Sequence, residues 1–284
     1  MPIDPSKALG TEIQGEDMQW DADRVILYHL GVGAGTPPTD PNELSYTYEK
    51  GLKVLPSFAV IVGSRASLRL ANVPGMEFNP ALLLHGEHDL ELNGTIPTAA
   101  KAINTVRIKD IFDKGKAALV KLEVESRDEN GQLLFVNRPS IFLRGEGGFG
   151  GESGPPAGNL PPDREPDTVL ETPIMPQQAL LYRLSGDKNP LHADPEFAKM
   201  GGFDQPILHG LCTFGMVCKA LVDAELGGDV SRVARYQVRF AGVVFPGETL
   251  VTRVWREDDR LVLQTDVKER GTPALTNAAM TLRN

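Results

Sequence analysis

Ile207-Leu208-His209-Gly210 leads into Leu211-Cys212-Thr213-Phe214-Gly215-Met216-Val217-Cys218-Lys219-Ala220-Leu221-Val222, a stretch apolar on almost every side of a helical wheel. A surface helix carries one apolar stripe, so a helix with hardly any polar face has to be covered all round. The chain that follows supplies the cover. Residues 233–240, 248–256 and 261–269 alternate with the period of half-buried strands, and Arg256-Glu257-Asp258-Asp259 forms a turn among them. Together they point to a long helix enclosed by a curved antiparallel sheet.

The first half shows a similar order of elements. Ala81-Leu82-Leu83-Leu84-His85-Gly86-Glu87 precedes alternating segments at 102–111, 116–126 and 133–143, the last two flanking the polar turn Arg127-Asp128-Glu129-Asn130-Gly131 as a hairpin, to which the turn Arg256-Glu257-Asp258-Asp259 of the second half is expected to correspond. Leu-His-Gly occurs in a similar place in both halves, at 84–86 and 208–210. The expectation is a duplicated α+β unit with two long buried helices behind one continuous sheet. Between the halves, the run from Arg144 to Pro156 continues through Pro161-Pro162-Asp163-Arg164 and is too rich in glycine and proline for helix or central strand. The boundaries are therefore 1–150 for the first unit, 151–168 for the linker and 169–284 for the second unit. Gly145, Gly147 and Gly150 have the look of a dinucleotide loop, but proline follows where that fold needs a helix.

A formal charge of -9 gives a long-range field that repels nucleic acid and anionic membrane alike. Cys212 and Cys218 lie six residues apart on the apolar segment, a spacing that suits two buried thiols better than a disulfide. Met1-Pro2-Ile3-Asp4-Pro5 lacks the basic-then-apolar pattern of a leader, and no apolar run reaches membrane-spanning length. A soluble protein of a reducing compartment is expected.

The chemistry concentrates in Tyr182-Arg183-Leu184-Ser185-Gly186-Asp187-Lys188-Asn189-Pro190-Leu191-His192. Residues 177–184 suit a short helix ended by Ser185-Gly186, and Pro190 restricts its own backbone and that of Asn189. Asp187 and His192 then share a fixed loop, with Asp194 and Pro195 starting another helix. A carboxylate, an imidazole and the free amide of Gly210 at the mouth of a buried helix are the parts needed to add water to a thioester-conjugated double bond. The side chains transfer protons with a water held between them, while the amide faces the charge that develops on the thioester oxygen. Residue types alone leave Asp187 open as a turn cap and His192 open as a structural histidine. His85 and His209 read as structural or substrate-lining, and the five histidines form no pattern of zinc ligands, so no metal is expected.

The stretch 182–192, extended by 206–216, resembles the signature of the hydratase 2 family, also called MaoC-like dehydratases. From about residue 10 to its end, the chain is similar to the two-part hydratase 2 domain of peroxisomal multifunctional enzymes, including 28–35, 84–87, Asp113-Lys114-Gly115 and 145–150. The resemblance implies a double hotdog fold and reversible hydration of trans-2-enoyl-CoA to (3R)-3-hydroxyacyl-CoA. It makes Asp187 and His192 the catalytic pair, Gly210 the thioester amide and Asn189 the organiser of the loop. It puts His85 and Gly86 against substrate, Lys114 on a CoA phosphate and Phe240 in the pocket. The first half has no Asp-x-Asn-Pro-x-His run, which implies one active site per chain and room there for a medium or long acyl tail. No cofactor is called for, CoA being part of the substrate, and a homodimer is implied. Neither a short-chain dehydrogenase nor a sterol-carrier region flanks the hydratase unit, and the final Thr281-Leu282-Arg283-Asn284 lacks a Ser-Lys-Leu address, so a cytoplasmic enzyme is expected. The competing readings are a thioesterase or small-acid dehydratase of the same fold, and a non-catalytic acyl-CoA-binding protein.

Overall fold

The computed structural model describes residues 3–63, 69–79, 82–156 and 158–283; Ala81 of the first apolar run lies outside them. The chain opens with α1 (Pro5–Ala8), β1 (Glu12–Gln14), β2 (Met18–Trp20), α2 (Ala22–Gly31) and α3 (Pro41–Thr47). Four strands follow: β3 (Leu83–Leu92), β4 (Ala100–Asp113), β5 (Ala117–Arg127) and β6 (Leu133–Arg144). The second half holds β7 (Thr168–Pro173), α4 (Gln178–Tyr182), α5 (Pro195–Met200), α6 (Gly210–Leu226), β8 (Val233–Phe240), β9 (Thr249–Glu257), β10 (Arg260–Val267) and β11 (Thr272–Leu282).

One antiparallel sheet runs in the order β1-β4-β5-β6-β3-β8-β11-β10-β9-β7, with β2 also pairing β4. The pairing of β3 with β8, Glu87 opposite Arg239 through Glu91 opposite Arg235, joins the halves. Along the chain, β3 to β6 correspond to β8 to β11, because each set runs outward from that central seam by the same connections. The fold is α+β, and its sheet encloses α6 as its sequence requires. Cys212, Phe214, Met216, Val217, Cys218, Leu221 and Val222 are all buried. Burial of such side chains is worth about 1.5–3 kcal/mol each for the larger ones. The charged exception, Lys219, is buried because its Nζ donates to Glu43 Oε1 of α3 at 2.6 Å and to Asp223 Oδ2 at 2.8 Å.

Three expectations need correction. The first half has no second long helix among its described residues: α6 has 17 residues, whereas the buried 3-10 segment Pro56–Ile61, which packs on α6, has 6. The apolar run at 82–85 enters strand β3 instead of leading to a helix. A short apolar run fits a buried strand as well as a helix, and here hydrogen bonding decides, because β6 and β8 flank β3 on its two edges. Leu-His-Gly is consequently not equivalent in the two halves: at 84–86 it lies in a strand, with a register shift between His85 and Glu87, and at 208–210 it opens a helix. The turn after Arg256 likewise joins β9 to β10, whose counterparts are β4 and β5, so it does not match the β5–β6 hairpin. Strands β1, β2, β7 and β11 lie outside the alternating segments; of these, β11 pairs both β8 and β10.

Between the halves, the glycine run has a local task. Asp113 accepts the N–H groups of Gly115 at 2.8 Å, Gly148 at 2.9 Å and Gly150 at 2.8 Å. This nest of amides fastens the start of the linker to the β4–β5 turn and so sets the place of Lys114.

Close packing of α2 on α6 depends on Gly215. A Cβ there would sit 2.5 Å from Val32 Cγ1 and 2.7 Å from Tyr28 Oη. Gly215→Ala therefore has to push α2 away, at a cost of about 1–3 kcal/mol that outweighs the gain in helix propensity of about 1 kcal/mol. We expect a lower urea midpoint for this variant; an unchanged or raised midpoint would show that the two helices separate freely.

Candidate active site

Sequence places Asp187, Asn189 and His192 within six positions, and local turns hold them. After α4 the chain makes a 3-10 turn, Arg183–Ser185, and Gly186 takes a φ of 137°. Asp187 Oδ1 accepts the Asn189 N–H at 3.1 Å, and Asn189 Oδ1 accepts the Leu191 N–H at 3.1 Å. Asn189 thus caps the 3-10 turn Pro190–His192 and organises the loop. Asp194 accepts the N–H groups of Glu196 and Phe197, and Pro195 takes the first helical position of α5, as its sequence predicts.

His192 is buried, and its Nδ1 lies 2.9 Å from the Ile207 carbonyl oxygen. A carbonyl only accepts, so Nδ1 carries the proton and Nε2 keeps its lone pair, with no protein partner among the described residues. Burial pushes the His192 pKa down, and the Ile207 carbonyl and the Asp187 carboxylate only partly offset it, while Arg183 adds to the depression. His192 is therefore neutral and fit to accept a proton. One ligand atom each from Asp187, His192 and His209 lie within 4.8 Å of one another. That span suits one water bridging carboxylate and imidazole. The His192 and His209 rings stack, with centroids 3.7 Å apart and planes 28° from parallel.

Gly210 begins α6, and among the described residues its N–H has no acceptor. The first N–H groups of a helix lack intrahelical partners and sit at the positive end of its dipole. Glycine eases the packing there: a Cβ would lie 3.2 Å from Cδ1 and Cε1 of Phe240, so the ring would have to give by a few tenths of an ångström. Phe240 in turn meets His85, ring centroids 5.0 Å apart. His85, Gly86, Lys114 and Phe240 all line one groove of about 1130 Å³, which runs along β3–β6 and β8 and is flanked by 153–156 and 158–159 of the linker. Lys114 stands over the Phe112 ring at 5.9 Å and donates to the Ser153 carbonyl. Asp187 and His192 are not among the residues lining this groove; the contact of Gly210 with Phe240 joins them to it.

Two polar residues were missed in the sequence. Asn137 Nδ2 donates to the Ala59 carbonyl at 3.0 Å, which turns its Oδ1 toward His88 Nε2 at 2.9 Å. His88 Nε2 must then carry the proton, leaving Nδ1 to accept from His85 Nε2, 3.2 Å away. Burial lowers the pKa of His85 to about 3, helped by His88, and that of His88 to about 4, so both are neutral. The signal was available: His88 is in phase with Leu90 and Leu92, the inward positions of β3.

The chain matches the MFE-2 hydratase 2 N-terminal domain over residues 18–145 and the MaoC-like domain over residues 158–278. It is 46% identical to enoyl-CoA hydratase ChsH3 of Mycobacterium tuberculosis over 92% of each chain. It is 45% identical to peroxisomal enoyl-CoA hydratase 2 of Arabidopsis thaliana, over 88% of this chain and 86% of the relative. The crystal structure of a MaoC-like dehydratase from Phytophthora capsici has a TM-score of 0.90 at 32% identity, covering 99% of this chain and 98% of that one. A double hotdog protein of Mycobacterium tuberculosis, 12% identical, shares the fold with a TM-score of 0.62 over 97% of each chain.

If His192 is the base, activity falls as its Nε2 becomes protonated. Because burial lowers its pKa, the acid limb of the kcat/KM profile should have its midpoint below the ordinary histidine value of about 6.5. A midpoint above that value, measured in non-interacting buffers at constant ionic strength, would remove His192 from the role.

Proposed function

The chain belongs to the MaoC-like hydratase 2 family and is an enoyl-CoA hydratase, a hydro-lyase; we propose that it hydrates trans-2-enoyl-CoA to (3R)-3-hydroxyacyl-CoA and accepts medium and long acyl chains. The observation that carries the reading is the free Nε2 of a neutral His192 beside the Asp187 carboxylate, on the same frame as an outward amide at Gly210.

Water held between Asp187 and His192 gives up a proton as its oxygen bonds to C3. The pair returns a proton to C2, so the sum of the step is water added across the double bond. Negative charge grows on the thioester oxygen during attack, and the Gly210 amide faces it at the positive end of α6. The Ile207 carbonyl fixes the His192 ring and lies three residues before that amide, so base and charge-stabilising donor move as one piece. A rigid frame of this kind delivers water to one face of the double bond, and the R product is the one implied by the resemblance to hydratase 2. Protons move between side chains and water, so the reading calls on no cofactor; CoA enters as part of the substrate. Lys114, at the groove's edge, is suited to a CoA phosphate.

The acyl range rests on the resemblance to hydratase 2; a second cavity of about 40 Å³ among Val60, Val62, Val124, Ile141 and Leu211, with His85 shared between it and the groove, has room for no more than a water or two. It begins beside the residue that follows Gly210 and borders the short segment Pro56–Ile61 of the first half. A cytoplasmic homodimer completes the proposal; no helix among the described residues is long and apolar enough to cross a membrane.

With trans-2-decenoyl-CoA, wild type should yield (3R)-3-hydroxydecanoyl-CoA by chiral analysis, and Asp187→Asn and His192→Ala should each lower kcat by about 10²-fold or more. Release of free CoA instead would make the protein a thioesterase, an S product would reject the stereochemistry, and turnover limited to four-carbon substrates would reject the acyl range. Lys114→Ala should raise KM several-fold and leave kcat nearly unchanged. A loss in kcat at unchanged KM would separate Lys114 from CoA binding.

A further inference from the structure

We propose that His209 is a positioning residue that holds the Asp187 loop, the His192 ring and the Gly210 amide in one register; the inference rests on the hydratase reading above. His209 precedes α6, and its carbonyl accepts the N–H groups of Cys212 at 3.0 Å and Thr213 at 3.1 Å. In a trans peptide the C=O and the following N–H point in opposite directions. Committing the His209 carbonyl inward to the helix therefore aims the Gly210 N–H outward, toward the substrate.

The side chain of His209 holds the other two parts. It makes no cap bond to its own helix. Its Nε2 lies 3.3 Å from the backbone carbonyl oxygen of Asp187, and its ring covers one face of His192. Tyr182 backs the ring, with centroids 4.9 Å apart, and only 1% of His209 is exposed. Since the Asp187 carbonyl accepts, the proton sits on Nε2, and the buried Nδ1 is left as an unpartnered acceptor. The opposite tautomer would set a lone pair against the carbonyl and bury an unpartnered donor, a worse outcome on both counts. Burial and then the neighbouring His192 lower the His209 pKa to about 3, with Asp187 opposing and Arg183 adding to the shift, so the ring stays neutral while His192 takes up its proton. Loss of the bond to Asp187 frees a loop whose own anchors are short turns. A misplacement near 1 Å at reacting groups is enough for a large rate loss, up to about 10²-fold.

Replacement separates this role from simple filling of space. His209→Phe keeps an aromatic ring but no donor, and kcat for decenoyl-CoA hydration should drop about tenfold or more while KM stays within about twofold. His209→Gln carries an N–H near the position of Nε2 and should recover kcat to within about threefold of wild type, whereas His209→Asn, with its amide near Nδ1, should not. A kcat for the Phe variant within about twofold of wild type, or a Gln variant no better than Phe and Asn, overturns the proposal. If the Phe variant does not fold, Gln against Asn makes the same comparison. In wild type, imidazole ¹⁵N spectra should report the Nε2–H tautomer for His209, and the Nδ1–H tautomer would overturn the proposal without reference to activity. Absence of decenoyl-CoA hydration by wild type would sink the functional assignment instead and leave the tautomer result standing.

Discussion

Enclosure of α6 by a single curved sheet is the constraint from which the remaining geometry follows. A helix with so little polar surface needs cover on every side, and the joined halves of the sheet supply it through the β3–β8 pairing. The close approach of α2 at Gly215 adds to that cover. Once the body of the helix is sealed, its N-terminus is where unpaired backbone donors meet open space. Gly210 stands there with the Phe240 ring close by: a Cβ would lie 3.2 Å from it, and its absence leaves the amide uncovered by a side chain.

Around that end, electrostatics follow from burial. His85, His88 and His209 have pKa values of about 3 to 4, chiefly because charge is costly in a site of low polarity. Each is held neutral with a proton on a nitrogen fixed by a carbonyl, an amide oxygen or another ring. A neutral imidazole with its lone pair directed by its other nitrogen is a ready proton acceptor, and His192 has that form. The same depressed values keep positive charge from accumulating on stacked rings, which would repel each other if both were protonated.

Asymmetry between the halves gives them different tasks. In the second half a 17-residue helix carries the Gly210 amide, and the loop before it carries Asp187 and His192. In the first, a 6-residue buried turn stands against α6, and a cavity opens beside it. The strands correspond pairwise across the β3–β8 seam although their helices do not, so the sheet is the shared frame and the helical layer is where the halves differ.

Much of this was legible in the sequence. The apolar wheel of 211–222, the alternation of 233–240 and the Asp–Asn–Pro–His loop are local signals, because periodicity, capping and proline restriction act over a few residues. The α+β class, the helix, most strands and the turns of the 187–192 loop follow from them. Tertiary structure decided what depends on partners distant in the chain. Residues 82–87 had no local reason to prefer strand over helix until β6 and β8 bonded to both their edges. His88 and Asn137 looked like polar residues in a strand until the Ala59 carbonyl fixed the direction of every bond between them. His209 read as a lining residue, and only the folded chain brings it against Asp187, 22 positions away, and onto the face of His192. Local sequence determined which groups exist and how their backbones turn; long-range packing determined which of them meet, because a hydrogen bond's partner and direction are fixed in space and not along the chain.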